Sequence, residues 1–343
     1  MINGINSREM ILEILLEIEE GEHSHVAIRN ALSKYQFLPK QDRAFITRVC
    51  EGTLEYRIQI DYIINSFSKV TVDKMKPAIR EILRSAVYQL KYMDSVPDSA
   101  VCNEAVKLAQ RKGFYNLKPF VNGVLRTIAR EMDQVRFPQK EDDLLKYLSV
   151  KYSMPEVLVT RWLEAYGEET TEKILADFLT EHPLTIRCRT YLNSKEEVIK
   201  SLESQGVHVA PAPYLPYAYS ISEFNHILAL DAFIKGKIVV QDVSSMMVAE
   251  AASPKKGDYI IDMCAAPGGK SIHVADKMGD YGNVDARDVS QYKADLIEEN
   301  IQRTGVINVE AKVQDATIYD PDSEEKADIV IADVPCSGYG VIG

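Results

Sequence analysis

The sequence lacks long apolar stretches and has few cysteines. Its 343 residues contain no run of about 18 apolar side chains, which a membrane-spanning helix requires. The polar start at residues 1–10 leads into an acid-rich amphipathic segment, so we expect no secretory signal. The five cysteines are widely spaced without a C-x-x-C pattern, which argues against structural zinc and against a disulfide framework. We therefore expect a reduced, cytoplasmic protein that has no resident metal and does not bind membranes.

An overall excess of basic residues is also absent. The chain carries 40 Lys and Arg against 51 Asp and Glu, a net charge of −11, whereas nucleic-acid-binding proteins usually have a basic surface. This average hides an asymmetry, because residues 1–140 hold 21 basic and 17 acidic side chains and the remainder holds 19 and 34. The asymmetry indicates two modules with different partners.

Residues 1–137 are predicted to form an all-helical bundle. Apolar side chains recur with a helical period within residues 10–18, 79–90, 105–109 and 120–128, and no strand-like alternation interrupts them. Pro77 suits the first turn of one helix, and Asp98 or Ser99 can cap another. The polar segment 136–140 resembles a linker, and Trp162, in a helix after it, is expected to pack in a core.

Residues 138–240 are predicted to hold this helical linker and then a small α+β unit. The segment 184–191 is extended and β-branched, residues 194–205 have a helical pattern, and short strands are expected near 207–209 and 217–221. From residue 241 to 343 strands and helices alternate, with strand candidates at 259–263, 283–286, 308–313 and 329–332. This alternation predicts a parallel, doubly wound α/β sheet, which binds ligands at the carboxyl ends of its strands.

A turn of small residues follows the first of these strands. The strand ends at Asp262-Met263, and the turn reads Cys264, Ala265, Ala266, Pro267, Gly268, Gly269, Lys270. Small side chains let a ligand approach the backbone, and the start of the following helix offers N–H groups to an anionic group. The G-x-x-x-x-G-K-[ST] pattern of a phosphate loop is absent. The alternative interpretation is an ordinary turn between strand and helix.

Acidic residues follow the next two strands. Asp288 is placed to accept hydrogen bonds from a ribose diol, although Asp285 is also available and Asp288 can equally cap the helix that follows. Asp315 comes just after the third strand, where an acid can meet an adenine amine or simply order a loop. We favour Asp288 over Asp285, because Val289-Ser290 begins the following helix and a capping role is compatible with binding a ribose, whereas the role of Asp315 stays open.

A carboxylate and a thiol follow the fourth strand, in the string Asp333-Val334-Pro335-Cys336-Ser337-Gly338. A cysteine thiolate adds to electron-poor carbon atoms, and the thiol can also pass on a proton. The alternative is a buried and inert cysteine, which is our interpretation of Cys50, Cys102 and Cys188.

These two motifs resemble those of the S-adenosylmethionine-dependent RNA cytosine-5 methyltransferases of the Nol1/Nop2/Sun group. The strings QDRAFITRVCEGTLEYR and FVNGVLR near the start resemble the NusB-type RNA-binding helical bundle, and QDVSSMM at 241–247 is similar to the segment that precedes the cofactor strand. The combination resembles the bacterial RsmB/Sun (Fmu) family, which methylates small-subunit ribosomal RNA. It implies a NusB-like bundle, an RRM-like α+β unit and a Rossmann-like methyltransferase sheet that is incomplete at its C-terminal side.

The resemblance also implies roles for the site residues. Cys264 to Lys270 would surround the methionine part of S-adenosylmethionine, Asp288 would hold the ribose, and Asp315 would lie near the adenine. Asp333 would contact both the cofactor region and the target cytosine. Cys336 would assist the elimination that frees the product. In the family another cysteine, in a Thr-Cys motif, attacks C6 of cytosine.

No Thr-Cys pair occurs in this sequence. We therefore expect the chain to be a fragment of a longer enzyme, itself inactive. Two alternatives stay open. One is a non-catalytic RNA-binding or antitermination-like protein, and the other makes Cys336 the attacking residue, as in DNA cytosine-5 enzymes that use a Pro-Cys pair.

Basic side chains supply candidate RNA contacts. They are Lys107, Arg111, Lys112, Lys118, Arg126 and Arg130 in the helical region, with Arg187 and Arg189 in the α+β unit. Such residues give sequence-independent affinity for phosphate, although they also occur on ordinary solvated helix faces. We expect the partner to be 16S ribosomal RNA, free or in early assembly, with a looped target base, and we expect a monomer.

Overall fold

The computed structural model describes residues 6–35, 38–180, 183–224, 226–279 and 281–336. Ser337 and Gly338 of the Pro-Cys motif lie outside the described residues. The chain divides into two compact units, of which the first ends at Thr180. Within the described ranges, no helix combines the length and the apolar composition that crossing a membrane requires.

The described part of the first unit is helical, as predicted. Its helices are α1 (Ser7–Glu19), α2 (Ser24–Lys34), α3 (Lys40–Glu55), α4 (Arg57–Phe67), α5 (Pro77–Tyr92), α6 (Asp98–Arg111), α7 (Lys118–Glu131), α8 (Leu144–Lys151) and α9 (Glu156–Phe178). Pro77 is the first residue of α5. The predicted cap of α6 is wrong, because Asp98 already lies inside the helix and Pro97 precedes it without a side-chain cap.

The core of this unit is formed by the apolar stripes that the sequence shows. Ile11, Ile46 and Leu125, from three different helices, are buried together. Gly52 of α3 lies directly against the ring of Tyr88 on α5, and a Cβ atom built on Gly52 would be 2.0 Å from Tyr88 Cζ. The glycine is therefore required by the close approach of a tyrosine ring to the α3 backbone.

Helices α8 and α9 belong to the first unit. Gln59 of α4 donates from Nε2 to the carbonyl oxygens of Val150 and Lys151, both at 3.1 Å, and Ser153 Oγ accepts from the N–H of Ile58. This differs from the predicted boundary at residue 137, which grouped these helices with the α+β unit. Trp162 is half-buried rather than in the core, and it stacks on the ring of Phe178.

The second unit opens with the small α+β fold that the sequence predicts. Its elements are β1 (Leu184–Cys188), α10 (Lys195–Ser204), β2 (His208–Pro211), β3 (Ala218–Ser222), α11 (Asp231–Ile234) and β4 (Ile238–Val240). The strands pair antiparallel in the order β2-β3-β1-β4. A β-α-β-β-α-β chain with this order is a ferredoxin-like fold.

A parallel sheet follows, which confirms the predicted alternation. Its elements are α12 (Val243–Ala252), β5 (Tyr259–Asp262), α13 (Gly269–Met278), β6 (Asn283–Asp288), α14 (Gln291–Thr304), β7 (Val309–Val313) and β8 (Ile329–Ile331). The strand order is β7-β6-β5-β8. The direction in which strands are added reverses between β5 and β8, and ligands bind at such a switch point, outside the carboxyl ends of the strands. The segments 263–268 and 332–336 therefore flank the expected crevice.

Candidate active site

The turn of small residues after β5 is held by hydrogen bonds from its neighbours. Ala265 donates its N–H to the carbonyl oxygen of Arg287 at 2.8 Å, and Asn300 of α14 donates from Nδ2 to the carbonyl oxygen of Pro267 at 3.0 Å. Gly268 has a φ of 97°, in the left-handed region that favours glycine, and it precedes α13. Because the first N–H groups of a helix have no acceptor within the helix, the turn presents donors to the crevice.

Asp288 ends β6 and contacts this turn directly. Its carboxylate is buried and accepts from the N–H of Ala266 at 3.1 Å and from the N–H of Val289 at 2.8 Å, and Lys293 Nζ lies 3.0 Å away. Asp285, three positions earlier in the same strand, faces the other side of the sheet, where it forms two ion pairs. Of the two acids that the sequence offered, Asp288 is therefore the one at the crevice.

Asp262 lies beneath the turn, at the end of β5. It is completely buried at the end of β5, and its Oδ2 accepts from the Ser271 hydroxyl at 2.7 Å. Burial raises the pKa of the Asp262 carboxyl to about 6, although Ser271 and Lys270 oppose this shift. Its Oδ1 has no hydrogen-bond partner within the described residues. Buried polar atoms without a partner are rare in folded proteins, and a polar ligand bound here would supply the missing partner.

Lys270 and Asp333 join the two sides of the crevice. Lys270 Nζ, in the first turn of α13, lies 2.5 Å from Asp333 Oδ2 after β8. Cys336 is exposed three residues further on, whereas Cys264 in the turn is half-buried. Burial, together with the carboxylates of Asp288 and Asp262, raises the pKa of the Cys264 thiol. Cys264 is therefore a thiol at neutral pH and is not suited to act as a nucleophile.

Asp315 lines a cavity of about 430 Å³ together with Met263, Gln314 and Tyr319. Its carboxylate accepts from the N–H of Thr317 at 2.9 Å and from the Thr317 hydroxyl at 2.7 Å, which lowers the pKa of Asp315. Asp315 thus orders its own loop and also faces a cavity whose volume suits a small molecule. The two roles that the sequence left open are compatible in the structure.

The prediction that Arg187 and Arg189 contact RNA is wrong. Both guanidinium groups are buried, with 1% and 2% of the residue exposed. Arg187 Nη1 and Arg189 Nη2 each lie 2.7 Å from a carboxylate oxygen of Asp276 on α13. The face of β1 that carries the two arginines packs against α13 and does not face solvent. Both guanidinium groups therefore form ion pairs inside the second unit.

The other candidate RNA contacts lie on the helical unit and are mostly paired. Lys107 and Arg111 share the carboxylate of Glu104, at 2.8 and 3.8 Å, and Lys112 pairs with two carboxylates of α1. Lys118 is half-buried at the start of α7. The pairing reduces the local positive charge, and contact between these residues and phosphate stays a prediction.

Sequence reasoning missed Lys293, Asn300 and Gln241. Lys293 lies in the first turn of α14, three residues after the capping Ser290, and that spacing could have indicated its place beside Asp288. The residues around Asn300 do not indicate that its side chain bonds to Pro267, which is 33 residues away along the chain. Gln241 accepts from Arg187 Nε at 2.9 Å, and its Cδ is 4.0 Å from the point that a Cβ on Gly269 would occupy. It therefore packs against the first residue of α13. Within the described chain, no group of His, Cys, Asp and Glu is arranged to hold a metal ion.

Comparison with known protein families gives three matches along the chain. Residues 5–130 match the NusB family, residues 154–227 match the RsmF/B-like ferredoxin-like domain, and residues 249–343 match the 16S rRNA methyltransferase RsmB/F family. The three matches follow the order of the bundle, the antiparallel sheet and the parallel sheet.

Relatives with the same arrangement cover nearly the whole chain. A probable ribosomal RNA small subunit methyltransferase B of Bacillus subtilis is 34% identical over 98% of this chain and 74% of its own length, and a probable one of Synechocystis is 31% identical over 98% and 76%. The crystal structure of PH0851 matches 97% of this chain and 75% of its own with a TM-score of 0.75 and 26% identity. The chain thus spans about three quarters of these relatives, and it belongs to the ribosomal RNA small subunit methyltransferase B family.

Proposed function

We propose that this protein transfers a methyl group from S-adenosylmethionine to C5 of a cytosine in 16S ribosomal RNA. Membership of the family makes it an rRNA methyltransferase, and the proposal adds the cofactor, the atom and the residues. The observation that carries it is the convergence, at the switch point of a parallel sheet, of the small-residue turn, Asp288 and the Lys270–Asp333 pair.

The residues around the crevice fit such a cofactor. The donors at the start of α13 suit the carboxylate of its methionine part, along Cys264–Lys270, and the unused oxygen of Asp262 suits its amino group. Asp288 is placed for the ribose hydroxyls, and the cavity beside Asp315 has room for the adenine. When bound, the cofactor supplies an electrophilic methyl group on a sulfonium.

In this proposal Asp333 and Cys336 act on the target base. Lys270 holds the Asp333 carboxylate at the mouth of the crevice, where it can accept a hydrogen bond from the amino edge of a cytosine. Cys336, exposed on the same segment, assists proton removal as the product is released. C5 of cytosine is not nucleophilic by itself, so the covalent route also needs a nucleophile at C6, for which the family uses the Thr-Cys motif.

The remaining parts of the proposal concern the RNA partner, the oligomeric state and the cellular location. We propose that the protein acts as a cytoplasmic monomer on free or early-assembly RNA with an unpaired target cytosine. Residues 1–137, with Lys107, Arg111, Lys112 and Lys118, contact phosphate groups, and residues 241–343 bind the cofactor. Residues 138–240 connect them, first through α8 and α9, which belong to the helical unit, and then through the α+β fold. The match of residues 5–130 to the NusB family supports the first of these modules.

Cofactor binding is the first test. We expect isothermal titration to show S-adenosylmethionine binding to the unchanged protein and at least about tenfold weaker binding to Asp288→Asn, a loss of about 1.4 kcal/mol. Asp295→Asn is the matched control, since Asp295 is an exposed acid on α14 and its loss changes the net charge equally. Absence of binding by the unchanged protein would overturn the proposal.

Methyl transfer to 16S ribosomal RNA by the full-length protein is the second test. We expect Cys336→Ala to lose turnover or to accumulate a covalent RNA adduct, while Cys102→Ala, in the helical unit, retains both activity and normal release. If Cys336→Ala retains full activity, Cys336 has no part in the mechanism.

A further inference from the structure

One face of α14 contacts the turn of small residues after β5. Ile297 Cγ2 lies 3.3 Å from the point that a Cβ atom on Gly268 would occupy, so the helix packs directly against the backbone of the turn. Asn300 Nδ2 donates to the carbonyl oxygen of Pro267 at 3.0 Å. Ile297 and Asn300 are three residues apart and therefore lie on the same side of the helix. The turn is thus held to α14 by an apolar contact and by a hydrogen bond from Asn300.

The side-chain amide of Asn300 has one orientation that satisfies its neighbours. Its Oδ1 accepts from Arg303 Nε at 3.2 Å and from Arg303 Nη2 at 2.8 Å. Arginine nitrogens only donate hydrogen bonds, so the amide oxygen has to face Arg303 and the amide nitrogen has to face Pro267. Burial, then the positive charge of Arg189, lowers the pKa of Arg303 to about 10, which leaves its guanidinium group charged at neutral pH.

Arg303 is in turn held by the small α+β fold. Its Nη1 donates to the carbonyl oxygens of Phe233 at 3.0 Å and of Ile238 at 3.2 Å. Its guanidinium carbon lies 4.1 Å from the centre of the Phe233 ring. A guanidinium group that is stacked on a ring and bonded to two carbonyl oxygens has little freedom to rotate. A series of hydrogen bonds therefore runs from α11 and β4 through Arg303 and Asn300 to the carbonyl oxygen of Pro267.

The carbonyl group that Asn300 binds adjoins the donors at the start of α13. The peptide group between Pro267 and Gly268 is bonded at both ends, because Gly268 also donates its N–H to the carbonyl oxygen of Ala265 at 2.6 Å. This planar group leads directly into α13, whose first N–H groups, from Gly269 onward, have no acceptor within the helix. Donors that are already oriented lose less freedom when they bind an anionic group, and they bind it correspondingly more tightly.

We propose that Asn300 is a positioning residue for the methyl donor. Held by Arg303, its amide orients the Pro267 carbonyl group and, through it, the N–H groups at the start of α13 that receive the carboxylate of the methionine part. The inference rests on the proposed function, in which that carboxylate binds along Cys264–Lys270. Asn300 has no contact with the reacting atoms in this arrangement, so its loss weakens cofactor binding and leaves the chemical step unchanged once the cofactor is saturating.

Isothermal titration of the full-length protein with S-adenosylmethionine tests this inference. Asn300→Asp keeps an acceptor for Arg303 but has no N–H for the Pro267 carbonyl oxygen. We expect it to bind the cofactor about 5- to 30-fold more weakly, because that oxygen loses its donor and faces a carboxylate instead. Asn300→Ala, which adds no charge, should weaken binding to a similar extent. Gln302→Glu is the matched control, because it makes the same amide-to-carboxylate change at an exposed position of α14 and should leave the affinity unchanged.

Two further measurements distinguish positioning from a general disturbance of the site. Methylthioadenosine has the adenosine part of the cofactor but no carboxylate, so Asn300→Asp should bind it as the unchanged protein does. Methyl-transfer kinetics of Asn300→Asp should show a raised KM for S-adenosylmethionine with kcat unchanged.

The outcomes separate this inference from the proposed function. Weakening that is confined to S-adenosylmethionine and to the two Asn300 variants supports the inference. Unchanged S-adenosylmethionine affinity in both variants overturns the inference alone, as does equal weakening for both ligands or a fall in kcat at constant KM. Failure of the unchanged protein to bind S-adenosylmethionine overturns the proposed function together with the inference.

Discussion

Acidification should destabilise the second unit through a single histidine. His273 lies in α13 with 3% of its surface exposed, and its Nδ1 has no hydrogen-bond partner within the described residues. Burial, then the positive charges of Arg187 and Lys277, lowers the pKa of His273 from 6.5 to about 2. The folded chain therefore keeps this imidazole neutral across the whole mildly acidic range.

The size of the effect follows from the two pKa values. In the unfolded chain His273 binds a proton as the pH falls below about 6.5, whereas in the folded chain it does not until about pH 2. The unfolded state thus binds more protons, and the free energy of unfolding decreases by about 1.4 kcal/mol for each unit below pH 6.5. At pH 4.5 the loss is about 2.7 kcal/mol, a large part of the 5–15 kcal/mol that is typical of a folded protein.

Urea unfolding of the wild type and of His273→Phe, followed by circular dichroism at several pH values, measures this loss. Phenylalanine keeps a ring against Tyr217, which meets His273 edge-on with centroids 5.5 Å apart. Between pH 6.5 and 4.5 the stability of the variant relative to the wild type should rise by about 2.3 kcal/mol, whatever the constant offset between them, because the unfolded histidine is already half protonated at pH 6.5. A difference that does not change with pH would refute the reasoning.

Three further predictions concern other buried contacts. Asp262 has the opposite pH dependence to His273. Its raised pKa of about 6 penalises the folded state once the carboxyl is charged, so the stability of Asp262→Asn relative to the wild type should rise by about 2.4 kcal/mol between pH 4 and pH 7 in the same unfolding assay. Asp276→Asn leaves the guanidinium groups of Arg187 and Arg189 buried without a carboxylate, and it should lower the free energy of unfolding in urea by about 3–5 kcal/mol. A negligible decrease would mean that water solvates the two guanidinium groups. Gly52→Ala forces a methyl group into the ring of Tyr88 and should lower the stability of the helical unit by about 1–3 kcal/mol; unaltered thermal unfolding would mean that the ring moves aside freely.

Periodicity and turn residues were enough to predict the parallel sheet, three of the four strands of the small sheet and most helices, whereas β4 was missed. The β-α-β-α alternation located β5, α13 and α14 within about two residues, because each element has a clear apolar face and is bounded by turn residues. The predicted end of β6 at residue 286 was too early. Arg287 and Asp288 continue to pair with β7 although they are charged, since backbone pairing does not depend on side-chain polarity. That extension is what brings Asp288 to the turn after β5.

The burial of Arg187 and Arg189 could not be predicted from the pattern of residues in the strand. Both alternate with Ile186 and Cys188, as solvent-facing residues of a half-buried strand do. Ile186 and Cys188 indeed pack in the apolar core of the small sheet. The opposite face, however, meets Asp276, which is 89 residues from Arg187 along the chain. Nothing in a short segment shows that a sheet face is covered by a helix so distant in sequence.

The packing of α13 against the small sheet means that this sheet helps to position the proposed active site. Arg189 binds Asp276 near the end of α13 and also donates to the carbonyl oxygen of Thr304, the last residue of α14. Positive groups at the C-terminal ends of helices are stabilised by the helix dipoles. The opposite ends of the same helices begin at Gly269 and Gln291, beside the turn after β5 and beside Asp288. The strand that sequence analysis assigned to RNA contact therefore holds the two helices whose starts form the proposed cofactor site, and the rigidity of that site depends on residues outside the parallel sheet.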